Sequence, residues 1–275
     1  MNIYEAIITI LCLVYITIYI KKKWCKEGFN TNMNHYKNAK TYEEIYDEFY
    51  AYLYDDLFYQ EGYYSGLCQT ILKYINHVYN NHLCIGIKHG GHVNQLLKKN
   101  MKTISISKSP AVIRRCQYNY KDNVYKQMDS YDTDMYLFDA HTFTHISLID
   151  NELYYTSDLS TFLSNCSHWL ILKGYLMIQY YHSTDDLKRG FSKIGERSEL
   201  RYKNMYKSKF SSHDSQDTIV LHETINDHQK VRRNMHALNF YSPEFIKEIA
   251  KVYDLHEVES VPINKYESVL VLQKL

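Results

Sequence analysis

Three stretches of the chain carry residues whose types and spacing can do chemistry. The first is Leu83 to Leu97, LCIGIKHGGHVNQLL, where a short apolar run meets Gly86, then Gly90 and Gly91, before an apolar helical pattern begins at Val93. A strand, a tight glycine turn and a helix in that order are the outline of a loop that holds an anionic or nucleotide-like ligand. Lys88 stands where a third glycine is expected. The second stretch is Ile149-Asp150-Asn151-Glu152 at the end of an apolar run. Its acids read either as a general base or as surface carboxylates at a strand end. The third runs from Lys188 to Lys209, with eight basic residues (Lys188, Arg189, Lys193, Arg197, Arg201, Lys203, Lys207, Lys209) against Glu196 and Glu199. Such a run either meets an anionic partner, lipid headgroups or nucleic acid, or is a solvated face.

Metal chemistry has little support. The six cysteines (Cys12, Cys25, Cys68, Cys84, Cys116, Cys166) form no CxxC pair, so neither a zinc nor a disulfide framework is indicated. His89 and His92 are three apart, but glycine-loop histidines of this kind are expected to face solvent. A formal charge of +1 gives no global preference for nucleic acid or membrane. Tyrosine is very frequent, with 29 residues, and lysine outnumbers arginine by 25 to 7. These are amino acids of A/T-rich codons, and the bias reports a genome, such as that of a protist or a large DNA virus, rather than a function.

The elements that position these residues follow from periodicity. Thr41-x-x-Glu44 is a capping box that opens a helix over TYEEIYDEFYAYLYDDLF. Ile45, Phe49 and Leu53 form one stripe on it and Tyr46, Tyr50 and Tyr54 another, both read as core. A second helix is predicted over Gly66–Val78. Strands and helices then alternate: HLCIGI, HVNQLLKKN, KTISIS, PAVIRRCQYNY with Pro110 in its first turn, a strand near Asn123–Met128, FTHISLID, SDLSTFLSNCSHWL and GYLMIQYY. The end of the chain gives the helix SPEFIKEIAKVY and the strands HEVESV and SVLVLQK. This order predicts an α/β, doubly wound, mostly parallel sheet, with ligands at the carboxyl ends of its strands. Between the strand ending at Tyr181 and the last helix, at about 184–241, lie the basic run and a predicted hairpin turning at Asn226–Asp227.

Ahead of this domain, Ile3 to Ile20 is apolar on every face with a single charge, Glu5, and is followed by Lys21, Lys22 and Lys23. Eighteen such residues can just cross a bilayer. The basic residues come after the apolar core, and no small-residue cleavage site follows, so a spanning anchor over 1–23 is expected rather than a signal peptide. The positive-inside rule places the rest of the chain on the cytoplasmic side. Residues 24–40, rich in Asn and Lys, read as a linker, and 41–275 as the folded domain.

The order of elements and four local motifs resemble class I S-adenosylmethionine-dependent methyltransferases of the kind encoded by large eukaryotic DNA viruses. LCIGIKHGG is similar to the family's acid-x-Gly-x-Gly-x-Gly loop, and SISKSPAVIRRCQ to the second strand and its Ser-Pro helix. Gln127-Met128-Asp129 is similar to the motif whose Asp contacts the adenine, and HWLILKGYLMIQYY to the entry into the fifth strand, with Lys173-Gly174 in place of a Gly-Gly turn. The resemblance implies a seven-stranded sheet with a reversed last strand, and cofactor contacts at Cys84, Gly86, Lys88, Gly90, Ser107 and Asp129. It also implies departures. Cys84 replaces the acid that helps hold the methionine end, and Ser107 the acid that takes the ribose hydroxyls. Each lost charge-assisted contact costs about 1.5–3 kcal/mol. Lys88 adds bulk and a positive charge beside a sulfonium cofactor. The expectation is a membrane-anchored methyltransferase-fold protein with a decayed site and a structural or partner-binding role, such as a virion membrane component; the alternative is an active methyltransferase. No catalytic residue is singled out, because methyl transfer rests mainly on proximity and orientation.

Overall fold

The computed structural model describes residues 38–39, 41–58, 61–75, 80–88, 90–128, 135–191, 206–212, 218–227 and 230–275. The anchor expected at Ile3–Ile20 and most of the linker lie outside them. Among the described residues no helix is long and apolar enough to cross a membrane.

The described residues begin with a two-residue strand, β1 (Asn38–Ala39), and helices α1 (Tyr42–Ile45), α2 (Glu48–Phe58) and α3 (Glu61–Lys73). The capping box forms as expected, with Thr41 accepting from the Glu44 N–H and Glu44 reaching back. The single long helix predicted from Thr41 does not form. It breaks at Tyr46–Asp47 because Arg232 reaches in from a distant strand: its guanidinium donates to the Glu44 and Ile45 carbonyls at 3.0 and 2.7 Å and to both Asp47 oxygens at 2.7 and 2.8 Å. Asp47 Oδ1 also accepts from the Tyr50 N–H, opening α2. Arg232 thus closes one helix and anchors the start of the next. The second helix starts and stops about five residues earlier than predicted.

The alternating region follows the expected order. It runs β2 (Asn81–Ile85), α4 (Gly91–Leu97), β3 (Lys102–Ser107), α5 (Pro110–Asn119), β4 (Val124–Gln127), β5 (Phe143–Leu148), α6 (Leu159–Trp169) and β6 (Leu170–Tyr181). After an insertion come α7 (Pro243–Val252), β10 (Leu255–Pro262) and β11 (Glu267–Lys274). The seven strands lie in the order β10-β11-β6-β5-β2-β3-β4. All neighbours from β6 to β4 are parallel, and β11 runs antiparallel to both β6 and β10. Strand order therefore reverses between β2 and β5, which puts the ligand end of the sheet beside the glycine turn after β2.

Period-two alternation separates the two faces. Leu83, Ile85, Leu148 and Trp169 pack in one core layer with α6 and α7, while Cys84, Met177 and Val271 pack in the other with α2, α3 and α4. Three helices start on a side-chain cap, Ser109 for α5, Asp158 for α6 and Ser242 for α7, with Pro at the first or second position of α5 and α7. The insertion contributes the antiparallel strands β7 (Tyr206–Ser212), β8 (Thr218–Asp227) and β9 (Lys230–Asn239) to a second sheet of order β1-β9-β8-β7, in which β1 pairs parallel to β9. The hairpin pairs outward as far as Asp227 opposite Lys230, beyond the turn expected at Asn226–Asp227.

Candidate functional site

The turn after β2 is built by glycine. Gly86 sits at φ +77° and Gly90 at φ +83°, conformations that an L side chain rarely adopts. Gly86 and Ile87 both donate their N–H to the Ile106 carbonyl, at 3.0 and 3.1 Å, so the turn hugs β3. That course sends the Lys88 side chain inward, where it is 1% exposed.

A second turn meets it from the end of β5. Asp150 and Asn151 are both left-handed, at φ 56° and 62°, a conformation that short polar side chains tolerate best. The pair reverses the chain into a 3-10 turn, Glu152–Tyr155. Gln179 on β6 steadies this reversal, donating to Asn151 Oδ1 at 3.4 Å and to Glu267 Oε2 on β11 at 3.0 Å. The result lays Glu152 directly on Gly86. A Cβ at Gly86 would fall 2.0 Å from Glu152 Cγ. The reading of Asp150 and Glu152 as surface carboxylates is therefore wrong: both are buried, and Glu152 is 0% exposed.

Lys88 and Glu152 form a buried ion pair, Nζ to Oε2 at 3.0 Å, and Nζ also donates to the Asp150 carbonyl at 2.6 Å. Three tyrosine rings surround the ammonium, with centroids at 4.6 Å (Tyr155), 5.0 Å (Tyr46) and 5.9 Å (Tyr42). Tyr42 donates its hydroxyl to Glu152 Oε2 at 3.0 Å. Burial holds the hydroxyls of Tyr46 and Tyr155 well above the ordinary phenol range, so both stay protonated. Burial also pushes the Asp150 carboxyl up to about 6, against the opposing pull of a 2.7 Å hydrogen bond from Tyr64 and of the Lys88 charge.

The cluster continues into the inserted sheet. Tyr155 OH lies 2.6 Å from His236 Nδ1, and His236 Nε2 lies 2.6 Å from Glu223 Oε2. Glu223, fully enclosed, also accepts from Tyr50 at 2.7 and 2.8 Å and from Asn234 at 3.2 Å. One hydrogen-bonded chain thus joins the ligand end of the sheet to the insertion. The tyrosine stripe of Tyr46, Tyr50 and Tyr54 is core, as expected, and the hydroxyls of Tyr46 and Tyr50 also serve this chain. Glu223, His236 and Tyr155 carry no sequence signal of their own, since their pairing depends on how β8 and β9 dock.

Of the residues that the resemblance implied, Gly86 and Lys88 meet at the strand ends, while Gly90 opens α4. Cys84 is enclosed within β2 with Sγ 3.1 Å from His92 Nε2, and burial raises its thiol well above its usual range. Ser107 ends β3, buried, and accepts from the Ser109 N–H at 3.3 Å. Asp129 and His89 lie outside the described residues. His92 does not face solvent as expected; it is buried and stacked on Tyr64 at 5.6 Å. Among the described residues no group of three metal-ligating side chains occurs. Most of the basic run lies outside them.

No family model matches this chain, and no curated protein matches it significantly. Solved structures do. The sugar N-methyltransferase KedS8 from Streptoalloteichus sp ATCC 53650 superposes with a TM-score of 0.61 at 14% identity, over 89% of this chain and 97% of that one. The S-adenosylmethionine-bound CalS10, an amino pentose methyltransferase from Micromonospora echinaspora, gives 0.58 at 11% identity, over 88% and 100%. A S-adenosylmethionine-dependent methyltransferase from Clostridium acetobutylicum ATCC 824 gives 0.57 at 13%, over 82% and 97%. At such identities the likeness concerns the fold, and the fold is of the S-adenosylmethionine-dependent methyltransferase type.

Proposed function

We propose that this chain is a methyltransferase-fold protein whose cofactor cleft is closed by its own side chains, and that it works by binding a partner rather than by methyl transfer. The observation that carries this reading is the Lys88–Glu152 pair, buried on Gly86 within three tyrosine rings. A ligand approaching the glycine turn must first displace a paired charge from its enclosure. Any ligand that needs the open form binds more weakly by the fraction of molecules that are open. Ser107 and Cys84, where the family carries acids, support the same reading.

The test is thermal unfolding of the whole chain with S-adenosylmethionine or S-adenosylhomocysteine. A ligand at 100 times its dissociation constant adds about 2.7 kcal/mol, and each kcal/mol moves the midpoint of a domain this size by about 2–4 °C. The closed cleft gives a shift under about one degree at sub-millimolar ligand; a shift of several degrees sinks it.

The second reading is an active S-adenosylmethionine-dependent methyltransferase. The likeness to solved methyltransferases, one of them cofactor-bound, favours it. So does the Tyr155–His236–Glu223 chain beside the cleft, which can take up a proton from an attacking nucleophile once Lys88 has moved. We also propose that Ile3–Ile20 anchors the chain in a membrane with the domain on the cytoplasmic side, and that the basic run at 188–209 meets an anionic partner such as lipid headgroups or nucleic acid. Carbonate extraction of the full chain tests the anchor, and salt-dependent binding to acidic vesicles tests the basic run.

A further inference from the structure

The enclosure around Lys88 is itself a site. Tyr155 stands edge-on to Tyr42 at 5.1 Å and 88° and to Tyr46 at 6.0 Å and 79°, while Tyr42 and Tyr46 lie side by side at 4.5 Å and 36°. Their faces turn toward one point, and the Lys88 ammonium occupies it. The negative face of an aromatic ring attracts a cation, and several faces around one point recognise ammonium and other onium groups by charge and shape together. Glu152 closes the enclosure with a formal charge. Its Oε2 serves Lys88 and Tyr42, while its Oε1 is buried and accepts no hydrogen bond among the described residues. The enclosure therefore holds more acceptor capacity than one lysine uses.

We infer that this enclosure is a binding site for a small alkylammonium, and that Lys88 is its built-in occupant, competing with any free cation for the place. The inference rests on the closed-cleft reading and deepens it. The cleft is closed by a side chain that mimics the charge of the ligands it excludes.

The test is chemical rescue. Lys88→Ala removes three carbons and the nitrogen, the outline of n-propylammonium. Thermal unfolding of the full-length Lys88→Ala chain is followed with n-propylammonium and with 1-propanol, its neutral counterpart. A rescuing cation at about ten times its dissociation constant raises the midpoint by about 3–6 °C, whereas propanol leaves it within about one degree. Equal responses, or no response to either, overturn the inference. Lys88→Ala with Glu152→Gln must lose the preference for the cation; if that double variant keeps it, the charge of Glu152 is not what selects. Should Lys88→Ala fail to fold even with propylammonium present, the unaltered chain still decides. Ring currents of three tyrosines must shift the Lys88 Hε protons well upfield of those of exposed lysines, and ordinary shifts refute the enclosure. Failure is distinguishable from failure of the proposed function: S-adenosylmethionine binding by the unaltered chain overturns the latter, whereas the propylammonium response of Lys88→Ala, or the Lys88 Hε shifts where that variant does not fold, decides this one.

Discussion

The two ends of the parallel strands are treated in opposite ways. At the carboxyl ends, where sheets of this kind bind their ligands, Lys88 and Glu152 fill the space over Gly86 and three tyrosines wall it in. At the amino ends lies a pocket of about 330 Å³, lined by Asn81, His82, Lys102, Thr103, Val124 and Phe143. The difference teaches where the unusual backbone converges: two left-handed residues, a glycine turn and a buried ion pair meet at the ligand end.

Substitutions break or sharpen this contrast. The largest effect belongs to Glu152→Ala, which leaves the Lys88 charge buried without its carboxylate. Breaking a buried pair in this way costs about 3–5 kcal/mol, so thermal unfolding should show a midpoint lower by about 6–20 °C. Lys88→Met with Glu152→Gln, which removes both charges and keeps an acceptor for Tyr42, should recover most of that loss. Next comes Gly86→Ala. Its Cβ meets Glu152 Cγ at 2.0 Å and the residue is held at φ +77°, so overpacking and left-handed strain together should cost about 2–4 kcal/mol in chemical denaturation.

Asp150 gives a pH signature of comparable size. Its carboxyl lies at about 6 in the folded chain against an ordinary 3.8. A raised acid keeps the proton better when folded, so its contribution is full below about pH 4 and is lost as pH rises through 6. Relative to Asp150→Asn, which suits the same left-handed backbone, the parent should lose about 3 kcal/mol of stability between about pH 4 and pH 7. Parallel curves for the two proteins would show that Asp150 titrates normally. The smallest effect is expected at the open end: Val124→Ile, at the edge of the pocket, should change stability by less than about 0.5 kcal/mol.

Much of the scaffold was legible in the sequence, and the closure was not. The strand and helix order, the capping box at Thr41 and the glycine turn at Gly86 rest on local pattern, which survives folding, while the reversed last strand came from the family resemblance. The break after Ile45 was hidden because its cause, Arg232, is nearly two hundred residues away. Lys88 was visible as the odd residue in the loop, but its direction depends on Glu152, Tyr42 and Tyr155, which come from two other elements. Asp150 and Glu152 misled for the same reason. Acids after a strand are usually solvated, and only the paired left-handed turn carries Glu152 back over the glycine. Cys84 looked like a cofactor position, whereas its thiol packs with His92 in the layer under α4.

The most direct measurement is equilibrium dialysis of the full chain against radiolabelled S-adenosylmethionine. Two missing carboxylate contacts move a micromolar site by roughly a hundredfold to ten-thousandfold. A cleft closed by Lys88 should therefore show less than about a tenth of full occupancy at about 10 μM free ligand. Saturable binding with half-occupancy in the low micromolar range would contradict the closed cleft and make the Tyr155–His236–Glu223 chain the first place to look for a catalytic base.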